Sequence, residues 1–342
     1  MQKALVIGAG PAGLSAAYYG TQYDIKPIVH EADTKNLWPS KPCGEAIPFT
    51  TLEYLPKGID KSFILNKIKR AVFYFNGEFL RELKDMPLLE GFVIDKKSML
   101  EEIANAAIAE GAEIIWGKRF HIHEINAALK DYDYIIDASG RGYVARHFLN
   151  YDRYELIPVL QAYAKGDTIP EDTIVLWGVD KGYAWVFPRG NMYNVGVGGF
   201  YRNPNELRAI LMGVLRHFKL DLIPNIRGSA VSVGGPIKKL VKGKLRVIGE
   251  AAGMVMPTTG EGIRFGLAAG RIVFRGDYEN VFWREFGYKL INGKRVLHLL
   301  LRIKDKTKLA RIVSDKTYYE FFEGTISFYK VLKVALSYLI RR

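Results

Sequence analysis

The sequence predicts an α/β protein made of a Rossmann-like domain, an antiparallel β-sheet domain and a helical C-terminal tail. Three observations lead to that expectation. A glycine-rich turn lies between an apolar strand and a small-residue helix at the N-terminus. Alternating, aromatic-rich runs split by Gly, Pro, Asn and Asp at hairpin spacing fill residues 151–235. After residue 275 the pattern becomes helical, basic and aromatic.

With 342 residues, 49% hydrophobic and 25% charged, the chain can bury a large core and divide into two lobes. A single cysteine, Cys43, leaves no internal disulfide and fits a reducing cytosol. Residues 1–15 are apolar enough to imitate a signal peptide, but they carry a strand–turn–helix glycine pattern with only Lys3 ahead of it. No uninterrupted apolar run approaches the ~20 residues needed to span a bilayer. A net charge of +13 draws the protein toward acidic surfaces: anionic lipid, nucleic acid or an acidic protein. No metal-binding signature occurs, and His121 and His123 lack a third ligand nearby.

The first element is "KALVIGAGPAGLSAAYYG". Ala4 to Ile7 form a buried-strand run, and Leu14 to Tyr19 a small-residue helix. Between them, Gly8 serves a tight turn, Gly10 lets a pyrophosphate approach the backbone, and Gly13 lets helix and strand pack closely. Pro11 and Ala12 complete the turn at the helix N-terminus, whose dipole favours an anion. The next strand, "KPIVHEA", ends at Glu31 and Ala32. An acidic side chain there is placed to accept from adenosine ribose hydroxyls and disfavours a 2′-phosphate. Strand, helix and carboxylate in register favour a dinucleotide over an incidental glycine-rich turn, leaving FAD or NAD.

The second element decides between them. In "GKLRVIGEAAGMVMPTTGEGIRFGLAAGR", Leu245 to Ile248 form a strand with Gly249 and Glu250 at its end. Gly260, Gly262 and Ile263 then open a helix. A carboxylate at the strand end can take ribityl hydroxyls, and amides at a helix start can hold a phosphate or the polar edge of a flavin. A long cofactor lying across two remote segments needs such an element, which points to FAD.

The pairing of "GAGPAG" with "GEAAGMVMPTTGEGI" resembles p-hydroxybenzoate-hydroxylase-type flavoproteins and, within them, the archaeal-type geranylgeranyl reductase family. The likeness extends to "GFVIDKKSML", with Lys96 at a cofactor-contacting position usually held by Arg. It includes "IIDASG", with Ser139 and Gly140 in a second cofactor loop. "KPCGEAIP" is similar to the family loop that brings a Cys near the flavin, which implies a catalytic part for Cys43 and a cofactor contact for Gly44; Lys41 beside it could favour a thiolate. "GYAWVFPRG" matches a family substrate segment at Tyr183, Trp185, Phe187 and Pro188. Strand alternation puts the three rings on one face, a pattern that taken alone reads as core.

The resemblance implies a discontinuous FAD domain over 1–50, 91–150 and 236–280. It implies a substrate sheet over 51–90 and 151–235, and a basic helical region over 281–342. It implies an FAD-dependent reductase saturating C=C bonds of isoprenoid lipids or their precursors. The electron donor is then NAD(P)H or an acidic ferredoxin-like protein. The rivals are a flavin monooxygenase or halogenase of the same fold and a membrane-associated quinone reductase. A nucleic-acid binder fits so complete a cofactor set least. In the tail, Lys330, Lys333, Ser337 and Arg341 mark one narrow face of an otherwise apolar helix, the composition of a helix in a membrane interface or of one packed on the protein body with its polar stripe in water. The expected location is cytoplasmic, peripheral to a membrane.

Overall fold

The structure, a computed structural model, describes residues 1–84, 90–141, 144–149, 151, 155–201, 203–322 and 324–333. Three sheets organise them. The first has the order β15-β16-β9-β1-β2-β8. It contains β1 (Gln2–Ile7), β2 (Ile25–Glu31), β8 (Glu113–Trp116), β9 (Tyr134–Asp137), β15 (Val241–Lys242) and β16 (Leu245–Val247). All joints are parallel except that of β15 with β16. Its strands are nearly continuous apolar runs because helices cover them: α1 (Pro11–Thr21) packs against α2 (Lys96–Ala109) and α6 (Ile263–Ile272). Two short helices, α3 (Ile125–Asp131) and α4 (Val144–Leu149), flank β9 in the chain.

The second sheet has seven strands in the order β14-β10-β13-β12-β11-β5-β6. They are β5 (Arg70–Phe75), β6 (Glu78–Lys84), β10 (Leu156–Lys165), β11 (Thr173–Val179), β12 (Gly182–Arg189), β13 (Met192–Gly199) and β14 (Asp221–Ser232). The expected antiparallel sheet is interrupted at one joint, since β11 pairs parallel with β5, which arrives from the early part of the chain. A second departure is α5 (Pro204–His217), a helix inside the stretch read as sheet. The Asn203 side chain accepts from the Asn205 amide at its start, and Pro204 occupies the first turn. Leu207, Leu211, Val214 and Leu215 of α5 bury against Ala184, Val186, Val195 and Val197, covering one face of the sheet.

The third sheet joins β3 (Ala46–Pro48), β4 (Ile64–Ile68) and β7 (Gly91–Ile94) between the other two. Segment 51–90 therefore divides: β4 pairs with β7, while β5 and β6 extend the seven-stranded sheet. After α6 the chain continues through α7 (Tyr278–Phe282), α8 (Tyr288–Arg302), α9 (Lys306–Ile312) and α10 (Asp315–Phe322). Among the described residues no helix is long and apolar enough to cross a membrane. Val331, 6% exposed, packs with Val296 and Ile326, and Lys330 pairs with Glu320 at 2.6 Å. The described start of the tail segment thus docks on the protein body. Ser337 and Arg341, the rest of that narrow face, lie outside the described residues.

Candidate active site

One cavity of about 870 Å³ runs from the glycine-rich turn, past the Cys43 loop, to the open face of the seven-stranded sheet. Along the first sheet it is lined by Gly8, Gly10, Pro11, Ala12, Glu31, Ala32, Ser139, Gly140, Gly249 and Glu250. Gly260, Gly262 and Ile263 line it at the start of α6, and Cys43, Gly44, Lys96, Tyr183, Trp185 and Phe187 line its middle. Gly13 and Pro188 are the expected site residues that stand off it. Gly13 sits under the turn, where a Cβ would be 1.9 Å from the Gly8 carbonyl oxygen. Pro188 is buried on the opposite strand face, with Ala184 and Val186. It stiffens the strand and offers no surface to a substrate in the cavity.

At the turn, a Cβ on Gly10 would meet nothing within 4 Å, so the backbone there is open to the cavity. Glu31 is 9% exposed; its carboxylate accepts from the Ala9 amide at 2.6 Å and from the Asp33 amide at 2.8 Å. An open turn at a helix N-terminus, a fixed carboxylate beside it and a second helix start at Gly262 match the shape and polarity of FAD. Glu250, at the end of β16, accepts from the Ser232 amide at 3.0 Å and pairs with Lys41. Lys41 is thereby committed to Glu250. A second cation near Cys43 is Lys96, whose ammonium donates to the Lys41 carbonyl. Burial pushes the Lys96 pKa down, with Cys43 and Glu45 opposing it.

Sequence reasoning missed what holds the cysteine loop in place. Glu45 is 5% exposed and has a positive φ of 64°. Its carboxylate takes Arg189 Nε at 2.7 Å, Asn194 Nδ2 at 3.0 Å and the Lys96 amide at 3.2 Å. Arg189 also reaches Asp95, the N-cap of α2, at 2.8 Å. Burial opposes the Arg189 charge, but Glu45 more than offsets this and raises its pKa. Burial likewise pushes the Asp95 carboxyl up, while the Ser98 amide and Arg189 hold it below the usual value. Asn194 donates to the Cys43 carbonyl at 2.8 Å and accepts from the Trp185 indole at 3.1 Å. One polar cluster thus ties the Cys43 loop, the start of α2 and the β12–β13 hairpin together. The Gly-Glu pair after Cys43 and the Arg after "WVFP" were its only sequence traces.

Tyr183, Trp185 and Phe187 form a row, with adjacent ring centroids 6.1 and 6.2 Å apart. Glycine opposite makes room: a Cβ at Gly196, the cross-strand partner of Trp185, would lie 2.2 Å from the indole. The Tyr183 hydroxyl donates to the Thr259 carbonyl, linking the row to the loop before α6. Burial raises the Tyr183 pKa, so the phenol stays neutral. From this row the cavity floor continues over Leu176 and Phe73, while Leu300, Leu309, Tyr318 and Phe321 of α8–α10 form its ceiling. The C-terminal helices are therefore a wall of the site, a role their basic amphipathic pattern did not reveal.

No family model matches the chain. It is 26% identical over 356 residues to a digeranylgeranylglycerophospholipid reductase of Methanococcus vannielii, covering 88% of this chain and 87% of that protein. A protein of the same name from Thermoplasma volcanium is 26% identical over 364 residues, covering 91% of each. Among solved structures, a geranylgeranyl bacteriochlorophyll reductase-like protein of Thermoplasma acidophilum superposes with a TM-score of 0.80 at 23% identity, over 97% of this chain and 95% of that one. The flavin-dependent brominase Bmp2 superposes at 0.71 and 15% identity over 100% of both chains. Similarity to digeranylgeranylglycerophospholipid reductases thus runs through most of the chain, which carries the p-hydroxybenzoate-hydroxylase-type fold.

Proposed function

We propose that the protein is an FAD-dependent reductase that saturates C=C bonds in isoprenoid chains of membrane lipids or their precursors. The observation that carries this reading is the single cavity joining a dinucleotide turn to an aromatic, then aliphatic, slot. Such a slot suits a long hydrocarbon with almost nothing to hydrogen-bond. The names of the relatives agree. The backbone N–H groups of Gly10 and Ala12 would hold the pyrophosphate, Glu31 the ribose, and Ser139, Gly140, Gly249 and Glu250 the ribityl chain. Lys96 and Gly44 would border the flavin, and Gly260 to Ile263 would hold its polar edge. Reduced FAD, when bound, supplies a hydride to one alkene carbon.

The chain's own residues do the rest. Tyr183, Trp185 and Phe187 keep an unpolarised alkene in one orientation and exclude water. The second alkene carbon needs a proton, and Cys43 Sγ is the cavity group placed to give it. The Cys43 loop is held rigidly by Asn194 and Glu45, with the Glu45 amide 3.4 Å from the sulfur. Electrons reach the flavin from NAD(P)H or from an acidic ferredoxin-like protein that the +13 charge attracts. The same charge supports a peripheral position on anionic membrane.

The test is anaerobic. Prereduced protein mixed with a geranylgeranyl lipid reoxidises, and the product gains two hydrogens per bond reduced. Reoxidation by oxygen alone, with a hydroxylated or halogenated product, favours the monooxygenase or halogenase reading that the brominase fold supports. For Cys43, both Cys43→Ser and Cys43→Ala retain FAD. Both slow single-turnover alkene reduction by about a hundredfold, the usual scale of a lost general acid. An Ala variant at the wild-type rate removes the proton role and leaves packing.

A further inference from the structure

We infer that Phe73 and Tyr318 form the end wall of the chain slot, setting how long a prenyl chain it accepts and how far that chain can advance past the Trp185 row. This rests on the isoprenoid reading above. In the sheet, Trp185 pairs across to Leu176, and Leu176 to Phe73. The two strand steps give about 10 Å of apolar floor from the ring row to Phe73. There the Phe73 ring meets the Tyr318 ring of α10 with centroids 4.8 Å apart, and both rings line the cavity and pack with Leu80 of the edge strand β6.

The wall is braced from outside. The Tyr318 hydroxyl donates to the Ala310 carbonyl at 3.2 Å, and burial pushes its pKa up to about 12. The Arg81 guanidinium lies 4.9 Å over the Tyr318 ring, pairs with Asp315 and donates to the Arg311 carbonyl at 3.3 Å. Arg311 in turn pairs with Glu78. A ring pair tied on three sides does not yield to an advancing chain, because side chains packed at interior density move only by displacing their neighbours. The inner surface is apolar at Phe73, Leu80 and Leu309. Lys306, which also lines the cavity, donates to the Ile303 carbonyl at 2.8 Å. The apolar rings at this end suit terminal methyls better than a phosphate or glycerol head, so the chain enters tail first and stops where those methyls meet the rings.

Binding of farnesol, geranylgeraniol and geranylfarnesol to wild type, Phe73→Ala, Tyr318→Leu and Leu176→Trp tests this, by tryptophan quenching on apo- and FAD-loaded protein. The expected result is a preference moved toward the longer alcohol by about tenfold in the two wall variants, the scale of a pocket that gains room for a few methylenes. Leu176→Trp, which fills the floor before the wall, moves the preference toward farnesol. Product analysis with a geranylgeranyl lipid then finds bonds nearer the head group reduced in Phe73→Ala and fewer bonds reduced in Leu176→Trp. Unchanged length preference in folded variants, with wild type binding the chains, overturns the end wall and leaves the reductase reading standing. Wild type binding none of the three alcohols overturns both.

Discussion

Gly13→Ala melts well below wild type and purifies without flavin, whereas Gly10→Ala melts like the wild-type apoprotein yet also fails to retain FAD. The difference lies in what a methyl group meets. At Gly13 it would stand 1.9 Å from the Gly8 carbonyl oxygen, so α1 must separate from the turn. Small-to-large changes in packed sites cost ~1–3 kcal/mol, and a backbone obstacle that cannot rotate away puts this one at the upper end. At Gly10 the methyl meets no protein atom within 4 Å, and the φ of −77° suits alanine. Only an incoming pyrophosphate feels it. Thermal melts of the apoproteins and flavin release from the holoproteins separate the two roles. Equal melting of both variants would falsify the assignment of Gly13 to packing and Gly10 to the cofactor.

Arg189→Met loses about 3 kcal/mol of stability in urea unfolding and slows alkene reduction while FAD still binds. Methionine has the length of the arginine stem but leaves Glu45, 5% exposed, without its charged partner. Removing one member of a buried ion pair typically costs ~3–5 kcal/mol, since the remaining charge stays desolvated. The 16% exposure of the arginine side chain sets the expectation at the low end. Activity falls because the Glu45 cluster positions the Cys43 loop, whereas the pyrophosphate turn lies elsewhere. A second substitution, Glu45→Gln, removes the orphaned charge and recovers part of the stability. A double variant as unstable as the sum of the two singles shows that the pair is not what holds the loop.

What was legible in the sequence follows the range of the interactions. The turn at Gly8–Gly13 and the ring row Tyr183–Trp185–Phe187 depend on local backbone geometry and on strand alternation, and both are written in contiguous residues. The Glu45 cluster is not, because Arg189 and Asn194 lie 144 and 149 positions away from it. The C-terminal helices illustrate a second limit. An amphipathic helix looks the same whether its apolar face meets lipid or protein, and only the fold shows Leu300 and Tyr318 over the sheet. Pro188 shows a third, since a motif can conserve chemistry on one strand face and rigidity on the other. For α5 the signal was present, as the Asn-Pro start of "NPNEL" is an N-terminal cap, but the surrounding strands outweighed it.

The order of strands also dictates how the polypeptide must assemble as it is made. β1 stands beside β9, and β9 beside β16, so the first sheet stays incomplete until residues 245–247 have left the ribosome. The parallel joint of β5 with β11 imposes the same delay on the second sheet, coupling residues 70–75 to 173–178. Pairings of such long sequence separation are slow to form. During synthesis, "KALVI" and its neighbours wait with unpaired edges, the state in which chains aggregate. Neither half can be excised as an autonomous module, and refolding yield should fall with concentration more steeply than for a chain whose strands pair in sequence.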